Sequence, residues 1–224
     1  MMAKKLSEEK LQKELERLEK MKEYEYAYAS CRAVCGIDEA GRGPLAGPVA
    51  AAAVILPKNC RILFLNDSKK LSPKKRAELS EEIKEKAVSF GVGIVIPERI
   101  DEINILQATY EAMRNAVKQL TVIPDLLLND AVTIPGINIL QVPIIKGDSK
   151  SISIAAASIL AKVTRDSMME EYDKLFPEYG FAKHKGYGTA AHIAALREYG
   201  PCAIHRMTFL KNILFNQAQK GKQS

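Results

Sequence analysis

The chain has 224 residues, a formal net charge of +6 and 47% hydrophobic residues, enough apolar material for one α/β domain with appendages. That composition excludes global disorder, and the apolar runs fall well short of the roughly 20 residues a membrane-spanning helix requires. Cys31, Cys35, Cys60 and Cys202 contain no Cys-x-x-Cys pair, so neither a zinc site nor a disulfide framework is supported, and a cytoplasmic protein with no membrane association is expected.

Residues 5–28 read as one charged helix. Ser7 stands at its cap position, Glu8 and Glu9 suit its first turn, and Leu11, Leu15 and Leu18 fall on one face. Residues 1–30 are therefore taken as an appendage, lying on the main domain or serving as a partner-binding arm, and residues 31–224 as the domain itself. Tyr24, Tyr26 and Tyr28 alternate and suit an extended entry into a first strand, Ala33 to Asp38. A Gly-Arg-Gly-Pro turn at 41–44 leads to a second strand, Val49 to Leu56. The polar loop Asn66 to Leu71 precedes a helix capped by Ser72, with Pro73 at its first position, running to about Lys86.

Val88 to Ile96 reads as a third strand, with Gly93 marking a close approach by another element. Pro97 opens a helix to about Leu120. Asp125 to Asp130 is a fourth strand and Ile139 to Ile145 a fifth, followed by Lys146-Gly147-Asp148. A long helix runs from Ser149 to about Phe176, its alanines 155, 156, 157 and 161 suited to lie close on a sheet. A loop through Tyr187, a short helix to Tyr199 and a last helix near Phe209 to Gln217 complete the chain.

Three of these strands end on acid: Asp38 with Glu39, Asp130, and Asp148 just past the fifth. If strands one, four and five are parallel neighbours, the acids share the carboxyl edge of the sheet, where open α/β sheets bind ligands. The link from strand four to five is too short for a helical crossover, so strand five is also readable as a short return segment. Adjacent residues on a regular strand face opposite sides. Asp38 and Glu39 are thus expected to share a site where the strand breaks between or just after them, with Gly41 and Gly43 supplying the freedom. One reading of this pair is a solvated turn. The other is a hard-metal site, because clustered carboxylates repel unless cations neutralise them and all-oxygen ligands favour Mg²⁺ or Mn²⁺ over zinc. From Lys183 onward there are seven Lys or Arg and one acid, Glu198, which suits a polyanionic substrate.

The stretch Gly36-Ile37-Asp38-Glu39-Ala40-Gly41-Arg42-Gly43-Pro44-Leu45-Ala46-Gly47-Pro48 resembles the signature of ribonuclease HII, the type 2 ribonuclease H family. The resemblance continues, in order, through Asn66-Asp67-Ser68-Lys69-Lys70-Leu71, Lys146-Gly147-Asp148, Ser153 to Ile159, Ala161 to Asp166, Gly186-Tyr187-Gly188-Thr189 and Ile204-His205-Arg206. It implies a ribonuclease H-like α/β fold: a mixed five-stranded sheet with helices on both faces and a C-terminal helical extension. It implies an endonuclease that cuts RNA in RNA–DNA hybrids and single ribonucleotides in duplex DNA, on the 5′ side, leaving a 3′-hydroxyl and a 5′-phosphate. The family's four acids fall on Asp38, Glu39, Asp130 and Asp148, holding two Mg²⁺ or Mn²⁺ ions. Gly41, Arg42 and Gly43 would read the 2′-hydroxyl, and Tyr187 would stack on the neighbouring sugar. Lys69, Ser149 and Arg206 are candidates for phosphate contact.

Without the resemblance, Arg42 reads as a surface residue, Tyr187 as a packed loop aromatic, and Asp148 as a cap of the long helix. Asp166 reads as a solvated partner of Arg165, Asp101 as a solvated helix acid, and His184, His192 and His205 as loop or core residues. The alternatives to the nuclease are a hybrid-binding module that does not cut, and the sister family ribonuclease HIII. The expected state is a monomer, with a replication or repair partner left open at the apolar C-terminal segment.

Overall fold

The computed structural model describes residues 7–215. Strands β1 (Val34–Ala40), β2 (Val49–Ile55), β3 (Ser89–Val95), β4 (Leu126–Asp130) and β5 (Leu140–Ile144) form one sheet in the order β3-β2-β1-β4-β5. The first three pair antiparallel, and β1, β4 and β5 run parallel, giving the mixed five-stranded sheet expected. Helices α1 (Glu8–Lys20), α2 (Glu23–Ala27), α3 (Pro73–Lys86), α4 (Pro97–Lys118) and α5 (Ile152–Leu175) surround it, and α6 (Phe181–His184), α7 (Ala190–Tyr199) and α8 (Met207–Phe215) form the C-terminal extension. Among the described residues no helix is long and apolar enough to cross a membrane. All four cysteines are free thiols.

Strand β2 shows why both faces of the sheet are covered. Its residues are all buried, and a strand's alternation sends them to two cores. Ala52 and Val54 pack with Leu79 and Ile83 of α3 and the alanines of α5, while Val49, Ala51, Ala53 and Ile55 pack with Ala112 and Met113 of α4. Helix α5 crosses β1 so closely that a Cβ on Gly36 would lie 2.1 Å from the Ser153 carbonyl carbon. The approach marked by Gly93 is that of α4, whose Ala112 carbonyl oxygen would stand 2.0 Å from an added Cβ.

The structure departs from the sequence reading in several places. The N-terminal helix is two helices, broken at Met21 and Lys22, both of which are buried. Residues 5 and 6 lie outside the described residues. Ser7 takes the cap position of α1 without a capping side-chain bond. Tyr24 and Tyr26 are helical rather than extended; Tyr24 and Tyr28, one helical turn apart, pack on Leu126 and Ile154 while Tyr26 faces solvent. This segment lies on the main body: Leu18 and Met21 join the core, Glu14 accepts from the Phe64 N–H (2.6 Å), and Arg17 donates to the Leu65 carbonyl (2.7 Å).

Helix α4 is interrupted at Asn104 (φ 65°), whose side chain accepts from the Leu106 and Gln107 N–H groups (3.0 and 3.2 Å) and so caps a second helical segment. Asp148 does not cap α5; Ser151 does, accepting from the Ile154 N–H. The last helix begins at Met207, and residues 216 and 217 of the expected helix lie outside the described residues.

Strand β5 is a parallel partner of β4 and not a return segment. The nine residues 131–139 cross back without a helix. Ile134 is buried in the core, and the Gln141 amide accepts from the Asn129 side chain and the Ile134 N–H (both 2.8 Å) while donating to the Ile134 carbonyl (3.0 Å). One side chain thus ties down a crossover that a helix normally provides.

Gly36→Ala should therefore force α5 off β1 and lower stability by about 3 kcal/mol, the upper range for overpacking a core. Denaturant titration would show this as a lower midpoint; an unchanged midpoint would contradict the close seating of α5.

Candidate active site

The carboxyl ends of β1, β4 and β5 bring the predicted acids together. On its β4 flank, β1 is paired only as far as Ile37 opposite Asn129, and Asp38 and Glu39 project beyond that point. The expected break does not fall between them: β1 stays paired with β2 through Ala40, and the chain turns at Gly41 (φ +98°). The two carboxylates flank one edge from opposite faces of an intact strand. Asp130 ends β4 and accepts from the Gly147 N–H (2.7 Å), and Asp148 lies in the 3₁₀ turn after β5.

Asp38 and Asp148 are buried, and Glu39 is largely so. Burial, with Glu39 and then Asp130 as neighbouring charge, pushes the Asp38 carboxyl well above the usual carboxylate range. Burial raises Glu39 as well, opposed by Arg42, whose guanidinium lies 3.4 Å from its oxygen. Asp148 is raised by burial and then by Asp67 and Asp130. The exposed Lys69 ammonium feels Asp67, Asp148, Asp38 and Asp130 together.

Against this cluster stands the loop 41–48, held from inside by two buried arginines. Arg206 donates to the carbonyls of Gly41 (2.6 Å), Arg42 (3.0 Å), Pro44 (2.9 Å) and Gly47 (2.9 Å). Arg165 donates to Pro48 (2.9 Å) and Ala46 (3.1 Å), and to Lys185 (2.9 Å) of the next loop. At Gly41 a Cβ would lie 2.1 Å from Arg165 Nε, so a side chain there would eject the arginine. Gly41, Arg42 and Gly43 line a cleft of about 270 Å³ with Glu39, Lys69, Lys162 and Tyr187. Tyr187, 46% exposed, faces the glycine turn; its ring edge would be 3.7 Å from a Cβ on Gly43.

Two phosphate-contact candidates lie elsewhere. Arg206 is fully buried with its guanidinium committed to four carbonyls, so it supports the loop and does not reach a phosphate. Ser149 donates to the Lys146 carbonyl (2.9 Å) and lines a different surface hollow with Arg17, Asn66 and Lys70. Asp166 pairs with Lys162 (2.8 Å) and Arg76 (3.8 Å), not with Arg165. Asp101 is no solvated acid: it accepts from the Met207 and Thr208 N–H groups (2.7 and 3.0 Å) and caps α8.

The residues that sequence reasoning missed are Asp67, beside Asp148, and Ser158, which lies against Asp38 and donates to Ser68 (3.0 Å). Ser158 sits one helical turn before Lys162 and two before Arg165, on a single face of α5. That spacing was the available signal.

The donor set suits a hard divalent cation. Every group in it is a carboxylate, and three of the acids are raised by burial and by one another, a strain that a cation relieves. Among the described residues no three of these acids draw close enough to enclose an ion, because Asp130 is turned to Gly147 and Glu39 to Arg42.

The family model of ribonuclease HII matches residues 35–212. A ribonuclease HII of Lachnoclostridium phytofermentans is 65% identical over 205 residues, covering 92% of this chain and 81% of its own. Ribonuclease H2 of Pyrococcus horikoshii superposes with a TM-score of 0.70 at 26% identity, covering 86% of this chain and all of the other. Ribonuclease HII of Archaeoglobus fulgidus, solved in complex with PCNA, superposes with a TM-score of 0.65 at 28% identity, covering 81% and 96%. With the signature turn, the acid edge and these likenesses in agreement, the chain belongs to the ribonuclease HII family and is a metal-dependent ribonuclease H hydrolase.

Proposed function

We propose that the chain is an endoribonuclease that cuts the RNA strand of RNA–DNA hybrids and single ribonucleotides embedded in duplex DNA. Cleavage falls on the 5′ side of the ribonucleotide and leaves a 3′-hydroxyl and a 5′-phosphate. The observation that carries this reading is the meeting, at one cleft, of Glu39 from the acid edge with a glycine turn whose Gly41 and Arg42 carbonyls are held by Arg206. The match to the ribonuclease HII model favours this over the sister family HIII.

Asp38, Glu39, Asp130 and Asp148 would hold two Mg²⁺ or Mn²⁺ ions. When bound, such a pair lowers the pKa of the attacking water and stabilises the leaving 3′-oxygen. The remaining work falls to the chain. With the Gly41 and Arg42 carbonyls committed to Arg206, the peptide N–H groups of Gly41, Arg42 and Gly43 are what the turn presents to the ribose. The 2′-hydroxyl distinguishes RNA from DNA, and the lack of a side chain at 43, on the Tyr187 side of the cleft, lets the sugar approach. Lys69 and Lys162 line the same cleft and offer positive charge to the phosphates. Tyr187 stacks on the sugar that follows. The complex of the Archaeoglobus relative with PCNA supports a replication or repair partner for this chain. The four free thiols suit a reducing cytoplasm, and a monomer is the state proposed.

A labelled duplex with one ribonucleotide should be nicked in Mg²⁺ or Mn²⁺ and left intact with chelator. Asp38→Asn should lower turnover roughly a thousandfold, the scale for losing a group that stabilises transition-state charge, while gel-shift binding persists. Retained turnover in this variant, or equal cutting of all-DNA duplex, would contradict the reading. Tyr187→Ala should slow the single-ribonucleotide duplex roughly tenfold more than a long hybrid, the scale of a lost stacking contact. An unchanged ratio of the two rates would remove Tyr187 from substrate recognition.

A further inference from the structure

The chain contains three histidines, and all of them support the loop that carries Tyr187. His192 and His205 are buried and joined Nε2 to Nε2 at 3.0 Å. His192 Nδ1 lies 2.9 Å from the Tyr187 carbonyl oxygen, and His205 Nδ1 lies 2.9 Å from the Cys202 backbone nitrogen. His184 stacks on His192 with ring centroids 4.5 Å apart, its Nε2 on the Tyr179 carbonyl (2.8 Å) and its Nδ1 on the Gly186 N–H (3.2 Å).

Elementary hydrogen-bond logic sets every proton in this row. The Cys202 backbone N–H can only donate, so His205 Nδ1 accepts and its proton sits on Nε2. The Cys202 carbonyl, at 3.3 Å from that Nδ1, is the longer contact, and the Cys202 thiol, 3.2 Å away, is compatible with an accepting Nδ1. His205 Nε2–H then donates to His192 Nε2, which must accept. The His192 proton is therefore on Nδ1, from which it donates to the Tyr187 carbonyl, a group that can only accept. Burial draws both rings away from the charged form, His205 down to about 4. A second proton on either ring would set two donors face to face.

We propose that His192 and His205 are positioning residues: their one-way chain of neutral imidazoles holds the Tyr187 carbonyl and sets where the tyrosine stands relative to the glycine turn. The next residue along, Arg206, holds that turn through the Gly41 and Arg42 carbonyls. The dipeptide His205-Arg206 thus carries both walls of the cleft, the sugar-reading turn through one side chain and the stacking tyrosine through the other. The Gly186 carbonyl closes the arrangement by accepting from the Leu45 N–H (2.8 Å). The inference rests on the proposed role of Tyr187 in substrate recognition.

Nitrogen-15 correlation spectra of the imidazoles in the wild-type protein test the chain directly, three rings being few enough to assign by single substitution. His192 should be protonated on Nδ1, and His184 and His205 on Nε2. His192 protonated on Nε2 would overturn the proposal even if no variant folds. In kinetics, His192→Leu should lower the ratio of the single-ribonucleotide rate to the long-hybrid rate about fivefold, the scale of one lost hydrogen bond. His192→Asn, whose amide can take the place of Nδ1–H, should recover most of it. Tyr187→Ala run in parallel separates the failures. A ratio that falls for Tyr187→Ala but not for His192→Leu sinks the positioning role alone. A ratio unmoved by Tyr187→Ala sinks the tyrosine reading and the inference with it.

Discussion

The site depends on two guanidinium groups that never meet the cleft. Arg165 and Arg206 are buried, 1% and 0% exposed, and between them they bind six carbonyls of the loop 41–48. A loop rich in glycine and proline has no ladder of its own, and its buried peptide groups need partners. The arginines provide them in a planar, fixed geometry that lysine cannot reproduce. The same bonds turn the carbonyls inward, which decides what the turn shows to a ligand. Function on this account begins with satisfying buried backbone.

The acids illustrate an opposing constraint. A sheet edge that gathers four carboxylates is electrostatically unfavourable, and three of them are held by a donor of the protein: Gly147 on Asp130, Arg42 on Glu39, the Glu39 N–H on Asp38 at 2.7 Å. These contacts offset part of that repulsion. Helix α5 links the two halves, since it packs on Gly36 beneath the acids and sends Ser158, Lys162 and Arg165 towards the cleft and its loop.

Much of this was legible in the residues. Strand ends on acid, the Gly-Arg-Gly turn, Ser72-Pro73 and the alanines of α5 are local signals, and each fell on the element expected of it. What was not legible was long-range. Arg206 has the composition of a phosphate ligand, and nothing local shows that its partners lie some 160 residues earlier in the chain. Asp101 reads as a surface acid until α8 arrives above it. The three histidines lack ligand spacing along the sequence, and their row exists only once α7 packs on the C-terminal turn. The β4–β5 crossover was doubted because length alone suggested it was too short, and the side chain that secures it, Gln141, carries no recognisable motif. Asn104 is the exception: a strong N-cap residue inside a helical pattern was a readable local signal that the periodicity around it outweighed.

Single-turnover nicking of a one-ribonucleotide duplex by Arg206→Lys, at a temperature where circular dichroism shows the variant folded, tests the central claim most directly. One ammonium cannot replace a guanidinium across four carbonyls, so the turn should lose its geometry and the rate should fall roughly a hundredfold, the scale of a misplacement of about 1 Å. A folded variant that nicks at the wild-type rate would contradict the dependence of ribonucleotide recognition on the arginine-held loop.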